Sequence, residues 1–410
     1  SINYCLEQGN IQLSDIEYIA YGFDVNNYDN GNMRTFYDSI EFEKDDKTKE
    51  WEAHNIQLFS DANIKESIAL NFSKAGITGP IPKIKYYSHH LCHAASSFYC
   101  SDFNHAIAIT MDGSGDDNCA VLWECEGKQI KEIESIKLPN SLGWLYASIT
   151  EYLGFQANNG EGKVMGLAPY GEKVEEIESA FDEFMRINGK DYFIDPSFIF
   201  YGKHSYNSRF TDKMANTLPL PPKNYEDNIF SGYQNIAFTL QNRLEQCLVN
   251  LTHYLIEKTQ VRNLCLAGGV ALNCKANGKI WQSCELENIF IQPISSDAGL
   301  SLGAALLCLQ ENEITPCIKF NDLYLGPGFT NEEIEAVLQL NKLQYEKLSN
   351  IEHRTAQLIR DGNIVGWFQG RAEFGPRSLG SRSLVADPRD IRSKEKINQL
   401  LKKRDWFMPY

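Results

Sequence analysis

Short continuous apolar runs alternate with stretches of helical period along this chain, the arrangement expected of an α/β protein. IEYIAYGF (16–23) reads as a strand, and residues 89–100 read as a helix. HAIAITMDGSGDD (105–117) reads as a buried strand ending in a Gly/Asp turn, and residues 120–136 as a hairpin turning at Glu126–Gly127. Helical spacing recurs over 142–153 and roughly 229–258. Residues 262–280 read as strand, glycine turn and helix, and 288–310 as strand, loop and helix. The stretch 181–228 is loop-rich and aromatic, the pattern of a lid or an insertion. Near residue 320, TPCIKFNDLYLGPGFT carries two prolines and two glycines and marks a boundary. Beyond it, helices are expected over 330–341 and 351–361, then a strand over 363–370.

A length of 410 residues favours two domains. The composition is 43% hydrophobic and 23% charged, which supports a large core and excludes a disordered chain. A net charge of −15 disfavours general nucleic-acid or anionic-membrane binding. The sign shifts locally near the end, where Arg371, Arg377, Arg382, Arg389, Lys402 and Arg404 stand among few acids. Eleven cysteines are scattered singly with no CxxC pair, which reads as reduced core cysteines in a cytoplasmic protein. No apolar stretch reaches the ~18 residues of a membrane span. The first residues, SINYCLEQGN, lack Met and are already in helical pattern, and the last residues stop abruptly. Both ends suggest an excerpt of a longer protein.

His89 and His93 stand at i, i+4, so on a helix their rings share one face and can close on one divalent cation. Such pairs are also often solvated or merely hydrogen-bonded. Asp112, closing the next buried strand, and Asp297, in a loop before another helix, add two carboxylates. Two histidines and two carboxylates form a mixed N/O set suited to Fe2+, Zn2+ or Mn2+. The strings MDGSGDD (111–117) and LAGGVALN (266–273) each run from a strand into a glycine turn whose backbone amides can cradle phosphate. Neither fits the Walker or Rossmann fingerprints. As a pair they resemble the split nucleotide clamp of the actin-like/Hsp70-like ATPases. NNGEGKVMGLAPYG (158–171) reads either as an ordered loop opening a helix or as a substrate loop with Lys163 as counter-charge. In GRAEFGPRSLGSRSLVADPRD (370–390) four arginines lie on a loop constrained by glycine and proline, a frame suited to gripping phosphate.

Together HHLCHAASSFY, MDGSGD, GEGKVMGLAPYG, LAGGVALNCKANGKI, SSDAGLSLGAAL and GRAEFGPRSLGSRSLVADPR resemble, in order and over essentially the whole chain, the O-carbamoyltransferases of the nodulation-protein/cephamycin type. That family is in turn similar to the tRNA threonylcarbamoyl transferases. The resemblance implies an actin-like fold (ribonuclease-H-like mixed sheets with helices) over 1–320, N-terminally truncated. It implies the start of a YrdC-like α/β domain over 321–410, C-terminally truncated. The second domain would make carbamoyl adenylate from carbamoyl phosphate and ATP with Mg2+, and the first would pass the carbamoyl group to a small-molecule hydroxyl.

The implied metal ligands are His89, His93, Asp112 and Asp297, with Fe2+ the first expectation. Asp112, Gly113, Ser114, Gly115, Gly268, Gly269 and Asn273 would hold the nucleotide. Arg371, Arg377, Arg382, Arg389, Lys402 and Arg404 would bind carbamoyl phosphate, and Lys163, Arg371 and Arg377 would act in catalysis. Family members start earlier and run on further, so the excerpt alone is expected to be inactive or to need the missing parts. The alternatives are a tRNA threonylcarbamoyl-transferase-like enzyme, against which the acidic charge argues, and a non-catalytic actin-like nucleotide-binding scaffold. No pattern encodes the acceptor or the oligomeric state, and a homodimer stays open.

Overall fold

The apolar run that opens 105–117 lies at the centre of a five-stranded mixed sheet. In the computed structural model, which describes residues 2–40, 44–201, 209–224, 229–316 and 318–409, the first unit (residues 1–319) holds eleven-residue strand β3 within it. Its strands are β1 (Tyr18–Tyr21), β2 (Lys83–Tyr86), β3 (His105–Gly115), β4 (Asn118–Glu126), β5 (Gln129–Lys137), β6 (Met185–Asn188), β7 (Asp191–Ile194), β8 (Asn263–Ala267) and β9 (Asn288–Ile291). The main sheet has the order β5-β4-β3-β8-β9. β3 pairs antiparallel with β4 and parallel with β8, in register Ile107–Leu264 to Thr110–Ala267. From Ala106 to Met111 every residue of β3 is buried, so this strand reads as a continuous apolar run rather than an alternating one. β5 lies at the edge and is half-exposed, with Lys131, Glu132 and Glu134 guarding its free side.

Helices cover the sheet. The histidine helix (His89–Phe98) packs on β3, β4 and β8, and the helix Leu142–Tyr152 packs on β3. A helix of 29 residues, Ser231–Thr259, also touches β3. The expected strands, the hairpin and the helices of the 89–153 and 229–310 stretches are all found, with ends shifted by one to three residues. Helices for which the sequence pattern predicted no element occupy Asn26–Asp29, Asn32–Ser39, Asp46–Leu58 and Asp61–Lys74.

The described residues of the stretch 181–228 are packed into the first unit. The helix Glu175–Phe184 leads into hairpin β6–β7, and Phe184, Ile194, Phe198, Ile199, Tyr201 and Met214 are core residues. Its aromatic residues pack on one another, with Phe184 and Phe198 ring centres 5.1 Å apart, so the apolar content serves packing. Residues 202–208 and 225–228 of that stretch lie outside the described residues.

The second unit (residues 320–410) has helices Asn331–Leu340 and Ile351–Arg360 and an antiparallel pair, β10 (Val365–Phe368) and β11 (Arg382–Val385). Thr330 and Glu333 close the first helix with a reciprocal capping box. No described helix is long and apolar enough to cross a membrane. The ten described cysteines are free, and Cys317 lies outside the described residues.

Candidate metal centre

The histidine helix opens at the C-terminal edge of the sheet, and an acidic turn fixes its start. Asp116 accepts the His89 backbone N–H at 3.0 Å and the Asp24 N–H at 2.9 Å. Burial pushes the Asp116 carboxyl up to about 7 against those two bonds. The sequence reading missed this residue, although the doubled aspartate of MDGSGDD signalled it. Gly115, one position earlier, lies so close to His89 that a Cβ there would sit 2.1 Å from the imidazole Cδ2. A residue with any side chain would fill the space the ring uses.

His89 and His93 are both fully buried. Their Nε2 atoms lie 3.1 Å apart. Asp112 Oδ2 is 3.3 Å from His93 Nε2, and Asp297 Oδ1 is 3.6 Å from His89 Nε2 and 3.7 Å from His93 Nε2. One donor atom from each of the four residues falls within 4.8 Å of all the others. Donors bound about 2.1 Å from one cation at tetrahedral or octahedral angles lie about 3.0–3.4 Å apart. The two shortest separations fall in that range, and the exposed Asp297 carboxylate stands slightly outside it. The residues therefore fit a divalent cation. His90, between them, points away: its Nδ1 pairs with Thr110 Oγ1 at 3.0 Å and its Nε2 with the Asn118 carbonyl at 3.3 Å.

Electrostatics separates the two imidazoles. Burial, reinforced by His93 and His90, holds His89 well below the ordinary histidine range and therefore neutral. Burial acts on His93 in the same sense, but hydrogen bonds to Asp112 and Asp297 outweigh it and hold its proton up to about 9. Burial opposes the charge on Asp112, yet His93, His89 and the Gly269 N–H hold its carboxyl well below the usual range. A proton on His93 thus sits where two carboxylates meet, the position a cation takes when histidine ligands give up theirs. Neither Nδ1 of His89 nor that of His93 finds a partner among the described residues.

The two glycine turns meet at Asp112. Its Oδ1 accepts the Gly113 N–H and its Oδ2 the Gly269 N–H, both at 2.7 Å. Gly268 makes this possible: its φ is +92°, and its N–H donates to the Ser295 carbonyl at 2.7 Å. Ser114 lies between, half-buried. Asn273 caps the helix Cys274–Ser283 through the Ala276 N–H and exchanges amide bonds with Gln241. Lys163 stands on the helix Glu161–Leu167, its ammonium 5.1 Å from the Phe155 ring centre. The structure thus gathers His89, His93, Asp112, Gly113, Gly115, Gly268, Gly269 and Asp297 around one point.

In the second unit the predicted arginines are not equivalent. Arg371 donates to the Gly326 and Leu325 carbonyls at 2.8 and 2.7 Å. Arg382 lies 3.9 Å over the Phe368 ring and donates to the Gln369 carbonyl. Arg389 forks onto Asp387, and Arg404 bonds Asn398 and the Pro409 carbonyl. Arg377 and Lys402 have no side-chain partner among the described residues. Glu373, not singled out in the sequence, gathers the loop by accepting the N–H groups of Leu379, Ser381 and Arg382.

The comparisons with known proteins agree with these motifs. The Carbamoyltransferase N-terminus family profile matches residues 1–306, and the Carbamoyltransferase C-terminus profile matches residues 356–410. The uncharacterized protein sll1178 of Synechocystis sp. is 34% identical over 427 residues, covering 100% of this chain and 68% of its own length. Nodulation protein NolNO of Sinorhizobium fredii is 33% identical over 417 residues, covering 100% of this chain and 57% of its own. The 3'-hydroxymethylcephem-O-carbamoyltransferase of Streptomyces clavuligerus is 26% identical over 201 residues, 47% of this chain and 37% of its own. Among solved structures, full-length HypF in its phosphate- and nucleotide-bound form has a TM-score of 0.34 at 18% identity, covering 60% of this chain and 38% of that one. A likeness that low carries no argument. The chain spans 68% and 57% of the first two relatives named. Matched by both profiles, and through most of its length by the first, this chain belongs to the carbamoyltransferase family, of the type that includes the nodulation proteins and the cephem O-carbamoyltransferase.

Proposed function

We propose that the chain is part of an ATP-dependent O-carbamoyltransferase that forms carbamoyl adenylate from carbamoyl phosphate and ATP and delivers the carbamoyl group to a hydroxyl of a small-molecule natural product. In this reading residues 1–320 are an actin-like transfer domain, and residues 321–410 begin a YrdC-like domain that forms the adenylate. The mixed sheet with helices on it supports the first assignment. The observation that carries the proposal is the convergence of His89, His93, Asp112 and Asp297 within one coordination radius.

A divalent cation held by those four residues, Fe2+ before Zn2+ or Mn2+, supplies Lewis-acid polarisation and charge neutralisation. The chain's own residues prepare the place. Burial keeps His89 neutral and ready to donate its Nε2 lone pair. The Gly113 and Gly269 N–H groups fix the Asp112 carboxylate in orientation and charge. Of the six candidate cations in the second unit, Arg377 and Lys402 have no side-chain partner among the described residues, and in this reading they are the first to meet carbamoyl phosphate. Arg371 is tied to the carbonyls of Gly326 and Leu325, and Arg382 to that of Gln369.

The test is His93→Ala in the full-length protein. Metal content by mass spectrometry and carbamoyl transfer to a panel of hydroxyl acceptors should fall together, while adenylate formation, read by pyrophosphate exchange, should persist. Retention of one metal per chain in His93→Ala would sink the assignment.

A further inference from the structure

Arg209 is 1% exposed. Its Nε, Nη1 and Nη2 find no hydrogen-bond acceptor among the described residues. A guanidinium carries five N–H donors, and a buried charge without partners is strongly destabilising. Arg243 shows how this chain treats a buried arginine with a structural task. Its Nη atoms meet Glu178 at 2.9 Å, Asp182 at 2.8 Å and the carbonyls of Met185 and Glu178 at 3.0 Å. Among the described residues the Arg209 guanidinium has no comparable hydrogen-bond or ion-pair partner.

Its placement has a direction. Trp144, Ser148 and Glu151 stand at i, i+4 and i+7 on the helix Leu142–Tyr152 and so share a face. Arg209 lies along that face. Its N–H donates to the Glu151 carboxylate, its carbonyl accepts from Ser148 Oγ at 3.3 Å, and its guanidinium carbon is 4.2 Å from the Trp144 ring centre. The side chain therefore runs from the level of Ser148 to that of Trp144, about 6 Å toward the helix N-terminus. That end is fastened to the Asp112 turn. Ser141, the helix cap, donates to the Gly113 carbonyl, and the Trp144 ring is so close to Gly113 that a Cβ there would come within 3.1 Å of it. Burial pulls the Arg209 pKa down to about 10, with Glu151, Tyr37 and Glu161 acting in the opposite sense. The group remains a cation at neutral pH.

We propose that Arg209, stacked on Trp144, is the receptor for a phosphoryl oxyanion of the substrate bound beside the Asp112–Gly113 turn. A tetrahedral phosphoryl group supplies the several acceptor oxygens that a fork of five donors lacks here, and the nearby helix N-terminus favours the same charge. The inference rests on the reading that an anionic carbamoyl donor or its nucleotide works in this unit. It adds the residue that recognises that anion.

Trp144 provides the reporter, as the part of the emission that Trp144→Phe removes. Inorganic phosphate and AMP are titrated separately into the full chain, with acetate as the carboxylate control. Either phosphoryl ligand should change the Trp144 signal. Tighter AMP binding assigns the group to a nucleotide, and tighter phosphate binding assigns it to the free anion. Arg209→Met should weaken that binding about tenfold or more. Without ligand its thermal midpoint should equal or exceed that of the parent, because an unpartnered buried charge has gone. Arg209→Lys, which keeps the charge without the fork, should bind with intermediate affinity.

Unchanged phosphoryl affinity in Arg209→Met overturns the proposal, as does acetate binding as tightly as phosphate. A lower midpoint in both variants, with no phosphoryl effect on the parent, shows a structural arginine and also overturns it. Failure here is distinct from failure of the functional reading, which the metal content of His93→Ala decides.

Discussion

Replacing Gly115 with alanine tests whether the metal centre is built from the strand end, as the geometry requires. The added Cβ would lie 2.1 Å from His89 Cδ2 and 2.3 Å from Cγ. Carbon atoms in ordinary contact stay about 3.5–4.0 Å apart. The ring must therefore retreat by about 1.4 Å, or β3 must move by as much. His89 is fully buried, so either shift disturbs a packed interior. Overpacking of this kind costs about 1–3 kcal/mol. A displacement of about 1.4 Å is large against a metal–nitrogen bond of about 2.1 Å, so His89 leaves the donor set. Metal affinity should fall by about tenfold or more, since disturbing even the groups that orient metal ligands costs that much. The assay is metal stoichiometry after dialysis against a weak chelator, with a thermal melt of the same samples. Stoichiometry and midpoint both equal to the parent would refute the reasoning. They would mean that Gly115 serves some need other than room for the imidazole.

Three further outcomes follow from other parts of the molecule. Asp297→Ala should weaken metal binding yet leave metal-free stability within about 0.5 kcal/mol, because its side chain is exposed; chemical denaturation of the apoprotein checks this. Arg243→Met should lose about 3 kcal/mol in a urea titration, since Glu178 and Asp182 keep their charges without a partner. Glu373 should give a pH signature. Burial opposes its charge, but the N–H groups it accepts outweigh burial and lower its carboxyl from 4.5 to about 2. A depressed folded pKa means that its hold on the arginine loop is complete above about pH 5 and is lost as pH falls through about 2. Hydrogen exchange at Leu379, Ser381 and Arg382 should accelerate over that interval, and Glu373→Gln should show faster exchange already at neutral pH.

The strands and the histidine pair were legible because each depends on residues close in sequence. A run of buried residues such as Ala106–Met111 announces a central strand by itself, and His89 and His93 need only the helical period to face together. Asp112 and Asp297 could be suspected from their strand-end positions, but their meeting depends on how β3, β8 and the loop at 295–297 are arranged in space. The helices of 26–74 escaped because their apolar faces are thin. In Asp46–Leu58 the buried positions are Thr48, Glu52 and Asn55, polar residues whose burial no hydropathy pattern signals. Arg209 was hidden for a different reason. The groups that fix its backbone, Ser148 and Glu151, lie 61 and 58 positions away, and the stretch around it has no period. The string of arginines in the second unit was visible, but the carbonyls of Gly326 and Leu325 that occupy Arg371 have no sequence signature.

The arrangement around Asp112 explains why glycine turns and metal ligands occur together in this chain. Phosphate cradles were expected at Gly113 and Gly269, yet both N–H groups bind the Asp112 carboxylate. The turns therefore hold a ligand-bearing carboxylate in this state, and the anion they cradle is part of the protein. The same Gly268 that turns Gly269 toward Asp112 also bonds the Ser295 carbonyl, two residues before Asp297. One left-handed glycine thus links the two carboxylates that face the histidines. Two backbone donors stabilise charge on Asp112, and that charge in turn favours a cation between the imidazoles. Among the described residues Arg209 is a buried side chain near this turn whose three guanidinium nitrogens have no hydrogen-bond partner, and it adds donors that Asp112 does not already occupy.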